Sequence, residues 1–272
     1  MKALAFTILL ALISSCAFAQ DQQVIDSLKH ELAIAKHDTS RVLIMAVLCE
    51  RYRNSKPDSA LFFGEKGMAL AEKIKFPKGM IRNTAYYGRI FRDLGNLPKE
   101  MAMQFKALQI AKDNNLLGET GLPLNYLAGN YGELNEFSKA LMYLKQARRI
   151  HEIYPSSPER LPYTLNNIGC TYFALNQLDS ATYYVQQAYT LFIQRKIGIS
   201  PIFFLNFAKI QDKLGKNQLA LITFIKVLHF LKKPIIFELT QQFLIVLRNF
   251  SKRPFSLIPV FIMQKKAWKR HN

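Results

Sequence analysis

The chain has 272 residues, of which half are apolar and 21% are charged, a composition that excludes a disordered polypeptide. Lys and Arg outnumber Asp and Glu by 37 to 19, and the resulting net charge of +18 favours anionic partners such as nucleic acid or phospholipid. Residues 230–272 alone carry a net charge of +8, so the rest of the chain is only moderately basic.

Residues 1–19 predict a signal peptide. Lys2 precedes an apolar run from Ala3 to Ile13, and Ala17-Phe18-Ala19 provides small residues for cleavage before Gln20. The apolar run is too short to span a bilayer. A second interpretation is a lipoprotein signal, since the sequence that ends at Cys16 resembles a bacterial lipobox, in which this cysteine is acylated. Both interpretations predict export, to the periplasm or the cell envelope.

Residues 20–40 predict a lead-in helix. Val24, Leu28, Leu32 and Ala35 are apolar at helical spacing within this segment. Such a helix would cover the first unit of the repeat that follows.

A repeat of about 40 residues organises residues 41–232, in units that begin near 41, 81, 121, 162 and 201. The last four units each contain a predicted turn of Leu followed by Gly or Asn, and these turns are Leu94-Gly95, Leu134-Asn135, Leu175-Asn176 and Leu214-Gly215. A column of small residues shares the period and consists of Ala60, Ala140, Ala181 and Ala220, with Glu100 as the exception. Apolar residues fall at helical spacing on both sides of each turn, so each unit is predicted to be two amphipathic helices.

Residues 233–272 are predicted to be a basic, irregular tail. The repeat columns stop at this point, and acidic residues become rare. Three interpretations remain open, namely a capping segment, a basic segment that contacts a membrane surface, or an altered reading frame.

The best unit, from Tyr163 to Tyr189, resembles the tetratricopeptide repeat. The residues that carry this resemblance are Leu165, Asn167, Ile168, Gly169, Tyr172, Ala181 and Ala188. The resemblance implies an all-α, right-handed α-solenoid of about five antiparallel helix pairs, although a period of 40 exceeds the usual ~34. Long units behind an export signal, with the phrase Asp58-Ser59-Ala60-Leu61, also look like the sensor halves of bacterial histidine kinases.

No pattern of residues predicts catalysis, a metal site or a cofactor. The five histidines are scattered, and none lies three or four residues from another His or a Cys, as a helical metal site requires. The chain also lacks a recognised nucleic-acid-binding motif, so we expect no specific nucleic acid partner. These observations favour a binding protein over an enzyme.

The first helix of each unit is predicted to line a concave groove, as the resemblance implies. The second, fifth, ninth and twelfth positions of the units give the candidate contacts Arg82, Arg89, Arg92, Asn125, Tyr163, Asn166, Phe173 and Lys209. The planar guanidinium of arginine suits carboxylates, whereas aromatic side chains offer apolar pockets. The expected partner is therefore a protein or peptide that presents acidic residues or its C-terminus. A solvated helix face explains the three arginines equally well.

The sequence therefore predicts an exported helical-repeat scaffold that binds a protein or peptide in its groove. The alternative is a truncated periplasmic sensor module of a two-component histidine kinase. The basic tail adds a weak contact with membrane surfaces to either interpretation.

Overall fold

The computed structural model describes residues 22–155, 157–197, 199 and 201–215. These residues form ten α-helices and one short 3-10 helix, Leu117–Glu119, and contain no strand. In chain order the helices are α1 (22–34), α2 (Asp38–Tyr52), α3 (Pro57–Lys73), α4 (Pro77–Asp93), α5 (Leu97–Asp113), α6 (Gly121–Glu133), α7 (Phe137–Ile153), α8 (Arg160–Ala174), α9 (Leu178–Gln194) and α10 (Pro201–Lys213). The predicted signal peptide and the predicted tail lie outside the described residues.

The helices pack as consecutive pairs, so the predicted all-α solenoid is confirmed. The pairs are α2 with α3, α4 with α5, α6 with α7, and α8 with α9, and each pair also contacts the next. Helix α10 packs on α9, at the place where the sequence predicts the start of the fifth unit. Helix α1 lies where the lead-in helix is predicted, and its buried Ile25 joins the apolar cluster of the first pair.

The predicted turns have the backbone conformation that their residues favour. Gly95, Asn135, Asn176 and Gly215 all have positive φ, at 75°, 58°, 58° and 74°. Gly and Asn adopt this left-handed conformation more readily than other residues, and it ends a helix by turning the chain. At the first of these turns the amide of Asn96 donates to the carbonyl of Phe91 at 2.7 Å, which closes the end of α4.

Small residues allow close approach of the two helices within a pair. A Cβ atom added to Gly169 on α8 would come within 2.5 Å of Val185 Cγ2 and 3.0 Å of the Ala181 carbonyl oxygen, both on α9. The second helices α3, α5, α7 and α9 each have 17 residues, whereas the first helices have 13 to 17. No helix in the described ranges is both long and apolar enough to cross a membrane.

The connections between pairs differ along the solenoid. Three residues, 74–76, join the first pair to the second, and α2 packs directly on α4. Seven residues, 114–120, join the second pair to the third, and α4 contacts the 3-10 helix in this linker instead of packing directly on α6. Side chains bridge the wider gap between α4 and α6, and they supply much of the groove described next.

Candidate ligand-binding groove

The first helices α2, α4, α6 and α8, together with residues that flank them, make side-chain contacts with one another, and we call the surface that carries these contacts the groove. The contacts join residues about one repeat apart, namely Arg53 with Asp93, Arg82 with Glu119, Arg92 with Glu133, and Asn167 with Asn125. The groove is thus lined by charged and amide side chains that pair between neighbouring repeats.

Two of the three predicted arginines are already ion-paired within the chain. The Nε and Nη2 atoms of Arg82 each donate to the Glu119 carboxylate at 3.0 Å. This double hydrogen bond and the nearby Lys78 ammonium hold the pKa of Glu119 below its usual range, although burial opposes them. Arg92 donates to Glu133 on α6 through Nε at 2.7 Å. Both arginines therefore bridge α4 to the next repeat.

Arg89 differs from these two arginines because it stacks on an aromatic ring. Its guanidinium carbon lies 4.6 Å from the centroid of the Tyr126 ring, and no carboxylate among the described residues is within ion-pair distance of it. The Tyr86 ring lies 6.4 Å from that of Tyr126, centroid to centroid. Burial raises the pKa of both phenols, so both stay neutral at ordinary pH. We call Arg89, Tyr86 and Tyr126 the groove cluster.

Arginines on other helices influence the phenols of the groove. Arg160, at the start of α8, lowers the pKa of Tyr86 against the larger effect of burial. Arg51 on α2 acts on the pKa of Tyr163 on α8 in the same way. Positive charges from other repeats thus oppose the effect of burial on both phenols.

The predicted asparagines form a chain of amides. Asn166 is 7% exposed, and its Nδ2 donates to Asn167 Oδ1 at 3.5 Å. Asn167 in turn donates to Asn125 on α6 at 3.3 Å. These contacts join the third and fourth pairs, so Asn125 and Asn166 both have a partner within the chain.

The remaining predicted residues lie further along the solenoid. Tyr163 is 36% exposed and meets the buried Phe192 ring edge to face at 5.1 Å between centroids. Phe173 is partly buried against the apolar cluster of the last pairs. Lys209 lies half-buried on α10. Desolvation raises the pKa of the half-buried Cys170 thiol to about 11, and the Lys209 charge opposes this rise. Whether these side chains contact a ligand stays a prediction.

Counting groove positions in the sequence missed Tyr86 and Tyr126. Both occupy the sixth position of their units, whereas the count used the second, fifth, ninth and twelfth. Their spacing of 40 residues could have identified them, because a matching aromatic in neighbouring units indicates a shared environment. Within the described part of the chain, no group of three or more His, Cys, Asp or Glu could hold a metal ion.

Comparison with known proteins identifies one repeat by sequence and the fold by structure. Residues 163–195, which span most of α8 and all of α9, match the family model of the tetratricopeptide repeat. BtubC (BKLC) from P. vanneervenii has a similar structure, with a TM-score of 0.57 and 17% identity over 79% of this chain and 89% of that chain. No curated protein matches the sequence.

Two further solved structures share the fold. A Rap protein complexed with competence and sporulation factor gives a TM-score of 0.59 and 14% identity, over 76% of this chain and 58% of that chain. Aspartyl phosphate phosphatase F from Bacillus subtilis gives 0.55 and 14%, over 80% and 70%. Identities this low show the fold alone.

Proposed function

We propose that this chain, a tetratricopeptide-repeat protein, is a non-catalytic scaffold that binds a peptide or protein segment in the groove lined by α2, α4, α6 and α8. One observation carries the proposal, namely the position of Arg89 on Tyr126. A guanidinium held over an aromatic ring can still present edge donors to a planar carboxylate, and for Arg89 these would be the Nη groups because its Nε is buried.

The neighbouring charges make Arg89 the residue that selects the ligand. Arg82 and Arg92 are occupied by Glu119 and Glu133, so a ligand gains little from them without breaking an existing pair. Arg89 forms no ion pair among the described residues, although its charge lowers the pKa of the buried Glu50 and Glu100 carboxyls against the larger effect of burial. We infer that the ligand presents a carboxylate, from an acidic side chain or a chain terminus, beside an apolar group that packs on Tyr86 and Tyr126.

A solved structure of similar fold supports this function. The Rap protein of this fold was solved in complex with a competence and sporulation factor, so a solenoid of similar structure does hold a partner. A solenoid also suits this role because successive repeats extend one continuous surface for an elongated ligand.

A peptide selection tests the proposal. Random 12-residue peptides with exposed C-termini are displayed and selected on the mature chain, and the dissociation constant of each winner is measured by fluorescence anisotropy. We expect Arg89→Ala and Tyr126→Ala to weaken binding about tenfold or more, equal to about 1.4 kcal/mol. Arg149→Ala is the matched control, because Arg149 is exposed on the second helix α7.

Two results would contradict the proposal. Selected peptides that bind wild type and Arg89→Ala equally place the binding site elsewhere. Peptides that lose affinity equally in Arg149→Ala bind by general charge attraction. Far-ultraviolet circular dichroism confirms beforehand that every variant keeps its helix content.

We propose further that the scaffold acts outside the cytoplasm. Support comes from the residues at its start, where a short apolar run precedes the small residues Ala17 and Ala19. Expression of the full chain followed by N-terminal sequencing of the exported product tests this. A start at Gln20 supports a cleaved signal, lipid labelling that Cys16→Ser abolishes supports an anchored lipoprotein, and an unprocessed cytoplasmic product contradicts export.

A further inference from the structure

The junction between the first two pairs is apolar. Leu48, Cys49 and Tyr52 on α2, Ala60 on α3 and Ile90 on α4 are all buried and pack into one cluster. This is the packing expected where one repeat rests on the next, because buried apolar surface supplies most of the stability.

The next junction is polar at the corresponding positions. Forty residues further along, the five positions hold Gly88, Arg89, Arg92, Glu100 and Asn130, and we call these residues the polar junction. Glu100 and Asn130 have no exposed surface at all. Within the described chain, neither oxygen of the Glu100 carboxylate and neither polar atom of the Asn130 amide has a hydrogen-bond partner.

Helices α4 and α5 lie close together at Glu100. A Cβ atom added to Gly88 would come within 2.9 Å of Met103 Cβ and 3.6 Å of the Glu100 carbonyl oxygen. Arg89 follows Gly88 directly, and its Nε atom is itself buried without a hydrogen-bond partner. Arg89 is therefore the sequence neighbour of the glycine at which α4 contacts the backbone of Glu100.

The charges around Glu100 come from two helices. Burial raises the pKa of its carboxyl to about 7, and Glu133 on α6 and Asp93 on α4 act in the same direction. Arg89 and Arg92 on α4 act in the opposite direction. Asp93 is paired with Arg53, and Glu133 with Arg92. Arg89 also lowers the pKa of the Glu50 carboxyl on α2 against the larger effect of burial, but Glu50 is paired with Arg53. Arg89 itself forms no ion pair among the described residues.

We propose that the protonation state of Glu100 regulates the groove by controlling the position of the Arg89 guanidinium. This inference rests on the proposed function, in which Arg89 receives the ligand. Neutral Glu100 leaves Arg89 on the Tyr126 ring, available to a carboxylate. Ionised Glu100 draws the Arg89 guanidinium off the Tyr126 ring and towards its own carboxylate, since a buried charge is costly unless it is paired.

The two states predict the direction of the pH effect. A rise in pH from 6 to 8 ionises Glu100 and removes Arg89 from the groove, so affinity for an acidic ligand falls. By linkage, an acidic ligand that holds Arg89 on Tyr126 raises the proton affinity of Glu100, and binding near neutral pH takes up a proton.

Nuclear magnetic resonance of the mature chain tests the coupling without any ligand. We expect the Glu100 side-chain carbon to titrate with a midpoint near pH 7. The Arg89 Nε signal should shift with the same midpoint and become independent of pH in Glu100→Gln. The matched control is Glu72→Gln, an exposed glutamate on α3, which should leave both titrations unchanged. A Glu100 midpoint below 5, or an Arg89 signal that ignores it, overturns the proposal.

A defined acidic probe then tests the consequence for binding. The probe is fluorescein-labelled tetra-aspartate, whose carboxylates stay ionised at pH 6 and pH 8. We expect at least fivefold weaker binding at pH 8 by wild type, and equal binding at both pH values by Glu100→Gln. A pH effect that persists in Glu100→Gln overturns the regulatory role. If the Arg89 signal follows Glu100 but the probe binds at neither pH, the coupling stands and the proposed acidic ligand is wrong.

Discussion

Two contact regions between repeats differ in chemistry, namely the polar junction at Gly88, Arg89, Arg92, Glu100 and Asn130, and the apolar packing of the last described pairs. Around α8, α9 and α10, the apolar cluster includes Leu165, Ile168, Val185, Phe192 and Phe203, each at most 3% exposed. At the polar junction, a carboxylate and an amide without hydrogen-bond partners occupy positions that are apolar one repeat earlier.

The difference shows how a repeat protein can place a weak point in one location. Each repeat contacts mainly its neighbours, so residues at one junction change that junction and leave the others intact. Buried polar atoms without partners cost about 1 to 3 kcal/mol each. The polar junction is therefore where we expect the solenoid to open first.

The largest effect on stability is expected from truncating a side chain in the apolar cluster. Phe192→Ala removes a fully buried ring that contacts Tyr163 and Phe203. It should lower the free energy of unfolding by about 3 to 5 kcal/mol, measured by urea denaturation. Phe62→Ala on α3, where the ring is 53% exposed, should cost far less. Equal losses would show that the cluster contributes no more than the surface.

A second effect comes from two buried groups whose pH dependences oppose each other. Folding raises the pKa of Glu100 from 4.5 to about 7, so its contribution to stability is full below pH 4.5 and is lost as the pH rises to 7. Burial lowers the pKa of His151 from 6.5 to about 4, so its contribution is full above pH 6.5 and is lost as the pH falls to 4. Over the shared interval the two changes offset each other.

Replacing one of these two side chains should reveal the pH dependence of stability that the other contributes. Relative to wild type, Glu100→Gln should gain stability as the pH rises from 4.5 to 7, and His151→Gln should lose it, each by up to about 3 kcal/mol. Urea denaturation at pH 5, 6 and 7 measures both slopes. Variants whose profiles run parallel to wild type would show that neither side chain titrates in this range.

The smallest effect is expected from the bridge between α4 and α6. Glu133→Gln removes the carboxylate that pairs with Arg92, and both side chains are partly exposed. Such pairs contribute roughly 0 to 1 kcal/mol, and the loss should disappear in high salt. A salt-independent loss above 2 kcal/mol would show that the bridge, and not the buried junction, holds these repeats together.

The repeat was predictable from sequence because its signals are local. Gly95 and Asn176 mark left-handed turns by residue type alone, and small residues such as Gly169 mark close helix contacts. The family match to residues 163–195 falls on the unit whose consensus residues are most complete.

The contacts of the groove were not predictable in the same way. The sequence indicated Arg82, Arg89 and Arg92 as one face of a helix. Their partners differ because they depend on the distance between α4 and α6, which the linker 114–120 helps to set. Glu100 stood out as an exception to the alanine column. Its lack of hydrogen-bond partners depends on three-dimensional packing that the column does not encode.

The unequal connections between pairs also give the solenoid a mechanical character. The first two pairs are joined by only three residues and by direct contact of α2 with α4, so they should move as one stiff block. Tension applied along the solenoid axis should instead stretch the seven-residue linker at 114–120, where side chains span the gap. This linker would then be a flexible section of the solenoid, and Arg89 on α4 and Tyr126 on α6 lie on either side of it.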